Sequence, residues 1–160
     1  MRYLLLTLLL VGISPAQAGA QDMCDTAAYI HNYPVHNADS YDRLFKATEG
    51  YRAGKEGAMA WPFGSGADAT YRTRDYCPVE SGGRLVRLFE IPPEELKSSG
   101  YRAGTLTLVA RDLAAARAAV SGLAVEGPRN SILAGRESFY FMDEAGNEFF
   151  VWEYPGPPGG

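Results

Sequence analysis

The 160-residue chain is 46% hydrophobic, 12% aromatic and 21% charged, with a formal net charge of −4. That composition belongs to a globular protein and excludes a disordered or fibrous one. Its 15 Lys and Arg are not clustered, which excludes a nucleic-acid partner held on a basic face.

The chain opens on Met1-Arg2, an apolar run from Tyr3 to Ile13, a break at Ser14-Pro15 and the small residues of Ala16-Gln17-Ala18. This pattern predicts a secretory signal peptide over residues 1–20, cut after Ala18 or Ala20. The run is about half the roughly 20 apolar residues that a membrane-spanning helix needs, so no membrane attachment is expected after cleavage. Gln21-Asp22-Met23 lacks the small residues a lipoprotein cut before Cys24 would require. Loss of Arg2 with the leader leaves 14 basic and 19 acidic residues. Export places the mature chain in the periplasm or outside the cell. Its two cysteines, Cys24 and Cys77, are then expected to form one disulfide. A metal pair is the alternative, but the close spacing and accompanying histidines of such sites are missing.

Ala27 to Val35 is aromatic and branched and reads as a strand. Asn37 and Asp39 can cap a helix carrying Tyr41, Leu44 and Phe45 on one face, with Gly50 as its stop. Gly57 to Trp61 and Ala67 to Arg74 read as short strands, and Pro78 to Gly83 as a loop that would hold Cys77 near its start. Leu85 to Ile91 is a strand ended by Pro92-Pro93. Residues 93–102 form a polar connector. Thr105 to Ala110 is a strand, and Asp112 caps a helix with Leu113, Ala116 and Val120 on one face. Leu123 to Glu126 reads as a weak strand. Glu137 to Met142 and Glu148 to Tyr154 make a hairpin, with Gly146 where the turn needs positive φ. Residues 155–160 are a Pro/Gly-rich tail expected to be disordered.

Each half is thus strand, helix, three strands: one unit over residues 27–92 and another over 103–154. Val86-Arg87-Leu88-Phe89-Glu90-Ile91-Pro92 matches Phe149-Phe150-Val151-Trp152-Glu153-Tyr154-Pro155 in character, position by position.

Phe141 to Tyr154 resembles the F-x-D-P-D-G-N-x-I-E-L-x-E hairpin of the vicinal oxygen chelate superfamily, which includes glyoxalases, bleomycin resistance proteins and extradiol dioxygenases. Val35-His36-Asn37, Leu44-Phe45 and Gly50-Tyr51 resemble the V-x-D, F-Y and G-F of its first module. The resemblance implies an α+β fold: two βαβββ modules forming a cupped mixed sheet with helices outside. It also implies four metal-ligand places. They fall here on Ile30, Arg87, Thr105 and Phe150, two apolar residues, a cation and a weak hydroxyl, so no metal or other cofactor is expected. A β-bulge could instead bring in His31, Glu90 and Glu153, each an odd number of residues from a ligand place and facing the opposite side of its strand.

Strand alternation puts Phe149 and Val151 against the helices. Asn32, Arg87, Phe89, Tyr140, Phe150 and Trp152 then face the cup as the expected ligand-binding residues. Aromatic walls supply stacking surface, and an arginine fork suits a carboxylate or phosphate. The alternative for Arg87 is an ion pair with a neighbouring carboxylate. Three functions remain: a binding protein for a small, partly aromatic or anionic molecule; a metal-dependent lyase, isomerase or dioxygenase with shifted ligands; and a protein-interaction module. No Gly-x-Ser-x-Gly or phosphate loop is present. A homodimer with swapped modules is compatible with the resemblance.

Overall fold

The computed structural model describes residues 24–61, 69–98, 101, 104–133 and 135–154. The leader over 1–20 and the tail over 155–160 lie outside them. The first module contains β1 (Tyr29–Val35), a 3-10 turn (Ala38–Tyr41), α1 (Asp42–Ala47), β2 (Tyr51–Ala60), β3 (Thr70–Pro78) and β4 (Arg84–Glu90). A short helix, α2 (Pro93–Ser98), lies in the connector. The second module contains β5 (Thr105–Ala110), α3 (Leu113–Ala119), β6 (Arg129–Leu133), β7 (Arg136–Met142) and β8 (Glu148–Glu153).

The two modules form four-stranded sheets of matching order, β1-β4-β3-β2 and β5-β8-β7-β6. The first pair of each is parallel and the rest are antiparallel. The chain is therefore an α+β fold of two βαβββ modules. Register makes the equivalence residue-specific: Asn32 pairs with Arg87 as Thr107 pairs with Phe150, and Pro34 with Phe89 as Val109 with Trp152.

One face of both sheets packs with α1 and α3 into a shared core of Val35, Leu44, Phe45, Val86, Leu88, Leu108, Val120, Phe149 and Val151, among others. Phe45 stacks on Tyr76 at 3.7 Å, and Phe141 on Phe149 at 4.7 Å. Burial of this face supplies the main driving force for folding.

Four local readings need correction. The first helix is split into a 3-10 turn, capped by Asn37 and closed by the Asp42 N–H donating to the Asp39 carbonyl three residues back, and a short α1. The second strand begins at Tyr51, far earlier than Gly57. It is an exposed edge strand of small and charged residues, so it carries no hydrophobic alternation. Leu123 to Glu126 is not a strand: Ala124 makes a single bridge to Asp143, and the strand forms at Arg129–Leu133. Cys77 lies within β3, fully buried, and not in the following loop.

The Cys24–Cys77 disulfide is present, with a Cα–Cα distance of 4.9 Å. Gly54 makes room for it. A Cβ there would sit 2.4 Å from Cys77 Sγ and 2.9 Å from Cys24 Sγ. The β2/β3 register shifts between Ala53 and Glu56, around this glycine.

Candidate functional site

The face turned away from the helices is the concave one in both modules. On the first sheet it carries Asn32, Arg87 and Asp75 in one cross-strand row, and Pro34, Phe89 and Thr73 in the next. On the second it carries rows led by Thr107, Phe150 and Tyr140, and by Val109, Trp152 and Ser138. All six expected ligand-binding residues thus lie on the concave faces of their sheets. Their surroundings differ sharply.

Arg87 is held by Asp75. Its Nε and Nη2 donate to the two carboxylate oxygens at 2.7 and 2.8 Å. Asp75 is buried and Arg87 mostly so. These hydrogen bonds, the largest influence on it, raise the Arg87 pKa above the usual guanidinium range. A bidentate pair satisfies a cation that burial would otherwise penalise. The ion pair raised as an alternative for Arg87 is what the structure holds.

Phe89 is packed away. Trp61 meets it edge-on at 4.9 Å and Tyr101 at 5.7 Å from Trp61 extends the cluster, with Ile91 and Leu96. The connector's α2 therefore covers part of the first concave face.

The second module keeps its aromatics half-exposed. Tyr140 and Phe150 stack at 5.6 Å with their planes 18° apart. Trp152 Nε1 is a buried donor with no hydrogen-bond partner among the described residues. Beside Tyr140 lies a cavity of about 230 Å³, lined by Val125, Glu126, Arg129, Met142 and Glu148 with the Tyr140–Phe141 strand. Arg129 pairs with Glu126 and donates to Tyr140 Oη at 3.4 Å. Glu148 accepts from Thr105 Oγ1 at 3.3 Å.

The residues at the four metal places do not suit a divalent ion. Ile30, Arg87, Thr105 and Phe150 all lie on concave faces, but they offer one hydroxyl oxygen and a cation between them. The shifted set does not assemble either. His31 lies on the opposite face of β1, between the rings of Tyr29 and Tyr33, and burial lowers its pKa, with Arg84 adding to the effect. Glu90 accepts from Ala38 N–H at 2.8 Å and from Arg72 at 3.2 Å, capping the 3-10 turn. Glu153 is exposed in the other sheet, beside Ala110 in register. No group of three or more potential ligands occurs among the described residues.

A further cluster was not foreseen. Asp143 and Asn147, both buried, begin and end the β7–β8 turn. Asn147 N–H donates to Asp143 Oδ1 at 2.7 Å, and its Nδ2 donates to Asp143 Oδ2 at 2.8 Å. The same Nδ2 reaches across the modules to the Pro34 carbonyl at 2.7 Å. Tyr101 Oη donates to Asn147 Oδ1 at 3.0 Å, and Tyr41 Oη to Asp143 Oδ2 at 2.5 Å. Gly146 takes φ +85° to close the turn. Burial raises the Tyr41 pKa, reinforced by the Asp143 charge, and pushes Tyr101 up to about 12. The turn is thus a latch between modules of one chain, helped by Tyr33 Oη donating to the Thr105 carbonyl at 3.2 Å and Glu49 N–H to the Val109 carbonyl at 2.6 Å.

A twice-used βαβββ unit with a helix-packed face and a concave face is the architecture of the vicinal oxygen chelate fold, which the hairpin motif resembles. No protein-family model and no curated protein matches the chain. Among solved structures it is similar to a member of the glyoxalase/bleomycin resistance protein/dioxygenase superfamily from Sphaerobacter thermophilus DSM 20745. The identity is 18% over 79% of this chain and 97% of that one, with a TM-score of 0.40. The antibiotic binding protein TnmS3 from Streptomyces sp. CB03234 is 20% identical over 78% of this chain and 92% of its own, with a TM-score of 0.43. A lactoylglutathione lyase from Agrobacterium tumefaciens is 16% identical over 78% and 91%, with a TM-score of 0.41.

Proposed function

We propose that the chain is an exported, glyoxalase-like domain that works in the periplasm or outside the cell. It binds a small, partly aromatic molecule on the concave face of its second module, without a metal or other cofactor. The observation that carries this reading is the half-exposed Tyr140–Phe150 stack beside Trp152, whose indole N–H is buried and unpartnered among the described residues. Aromatic faces supply burial and stacking. The Asp75–Arg87 pair makes Arg87 a weaker anion anchor than its sequence position suggests.

Trp152 reports on its own face once Trp61 is replaced. In a Trp61→Phe variant, benzoate, benzyl alcohol and benzylamine should change the remaining indole emission in a saturable way, and Phe150→Ala should weaken that response by about tenfold or more, the loss of one stacking contact. A saturable response unaffected by Phe150→Ala would place the ligand elsewhere. No response to any of the three would refute the aromatic site. Metal-free operation is checked separately by elemental analysis of protein exported in metal-replete medium: a stoichiometric divalent metal would overturn it.

A further inference from the structure

We infer that the second module's ligand is a small organic cation, an aromatic amine and not an aromatic acid. This rests on the concave-face reading above and adds the charge that the site selects. The cavity beside Tyr140 has three charged side chains, Glu126, Arg129 and Glu148. Arg129 is spent on Glu126. Glu148 has no cationic partner among the described residues, and its one hydrogen bond is the long contact from Thr105 Oγ1 at 3.3 Å. Two carboxylates against one guanidinium leave the lining with one negative charge.

Arg87, the cation expected to attract an anion, is already neutralised by Asp75. The apolar walls are Met142, which is 48% exposed, and Val125, which is 56% exposed. The Tyr140 ring also lines the cavity and stacks on Phe150. A ring of benzene size fits a space of about 230 Å³ with room for a short aminomethyl arm. The arm's ammonium would reach Glu148, and the ring would lie along Met142 and Tyr140. Charge complementarity of this kind discriminates between ligands of one shape more than it adds raw affinity.

The test uses three probes of one shape and different charge: benzylamine, benzyl alcohol and benzoate. The readouts are the Met142 methyl resonance in protein carrying labelled methionine, and affinity by titration calorimetry at low salt. Benzylamine should shift the Met142 methyl and bind at least about threefold more tightly than benzoate, the range of a partly exposed ion pair. Glu148→Gln should erase that ratio and leave benzyl alcohol unchanged. Because Glu148 is an exposed strand-end residue, the variant should keep the parent's remaining methyl spectrum, which is read in the same experiment. Glu126→Gln offers a second route, since it frees Arg129 and should cut the ratio without touching Glu148. Benzoate binding as tightly as benzylamine, or a ratio that survives both substitutions, would overturn the inference while leaving an aromatic site standing. Failure of all three probes to move Met142 or to bind would remove the inference and the concave-face reading together.

Discussion

The two modules share topology and register but use their concave faces differently. Phe89 and Trp152 occupy equivalent places, paired with Pro34 and Val109. Phe89 is 2% exposed under Trp61, Leu96 and the connector, whereas Trp152 is half-buried with an unmade hydrogen bond. Arg87 and Phe150 are likewise equivalent, and only Arg87 is tied down by a buried carboxylate. The first module has converted its cup into a second small core, sealed at the Cys24–Cys77 end by a disulfide lying on Gly54. The second has kept its cup open. A duplicated fold can therefore divide labour, one half holding the structure and the other left free to bind. In an α+β domain of this size, where net stability is a small difference between large terms, that division has measurable consequences.

The disulfide ties the segment before β1 to β3 of the first module, and breaking it should have the largest effect. It closes a separation of 53 residues, and the chain-entropy model gives about 4 kcal/mol for a loop of that length. A Cys24→Ser, Cys77→Ser double variant should lose roughly that much in urea unfolding while keeping the second module's ligand response. Equal loss of ligand response would show that the two concave faces are not independent.

The equivalent aromatics give the direct contrast. Phe89→Ala empties a packed site and should cost about 3–5 kcal/mol, as for other buried aromatics. Trp152→Ala, at the matching position on the open face, should cost only about 1 kcal/mol and weaken probe binding read by titration calorimetry instead. Comparable losses of stability would break the comparison, because they would mean that Trp152 is core.

The latch is the element both modules need. Asn147→Ala removes three side-chain hydrogen bonds at once, those to the Pro34 carbonyl and to Asp143 Oδ2 and the one from Tyr101 Oη, in a buried setting. The expected cost is about 2–3 kcal/mol, set by buried groups left unsatisfied. It should also loosen the modules relative to one another, which faster amide exchange at Glu49 would report, since its N–H donates across the modules to the Val109 carbonyl.

How much of this was legible in the sequence follows from range. The duplication was, because Val86–Pro92 and Phe149–Pro155 share a pattern in sequence, and the observed register aligns Val86–Glu90 with Phe149–Glu153. The turn chemistry at Gly146 was, because positive φ is a local demand. Arg87's partner was not. Asp75 lies in β3 opposite Arg87, one residue past the Ala67–Arg74 stretch whose pattern predicts a strand. The edge strands β2 and β6 were misplaced because an exposed strand has no buried face to set a period. The latch role of Asn147 was out of reach, since its acceptor at Pro34 is 113 residues away and is a backbone oxygen with no side-chain signature.

The smallest effect expected lies in the latch's response to pH. Burial pushes the Asp143 carboxyl above its ordinary value, against hydrogen bonds from Tyr41 and Asn147 that pull it down. A carboxyl raised in the folded state holds its proton longer than the unfolded chain does. Between the ordinary carboxylate value and the raised one, the folded state therefore binds more protons, and stability falls as pH rises through that window. This is opposite in sign to the carboxylates held low by cations, such as Asp39 beside Arg72 and Arg74, whose contribution is lost on acidification. Urea midpoints for the parent and an Asp143→Asn variant, followed upward from about pH 4, should separate the two behaviours. Relative to the variant, the parent should lose stability as the pH rises through the window and then level off. A difference that stays flat, or runs the other way, would mean that the hydrogen bonds from Tyr41 and Asn147 outweigh burial, and that the latch holds Asp143 as a carboxylate throughout.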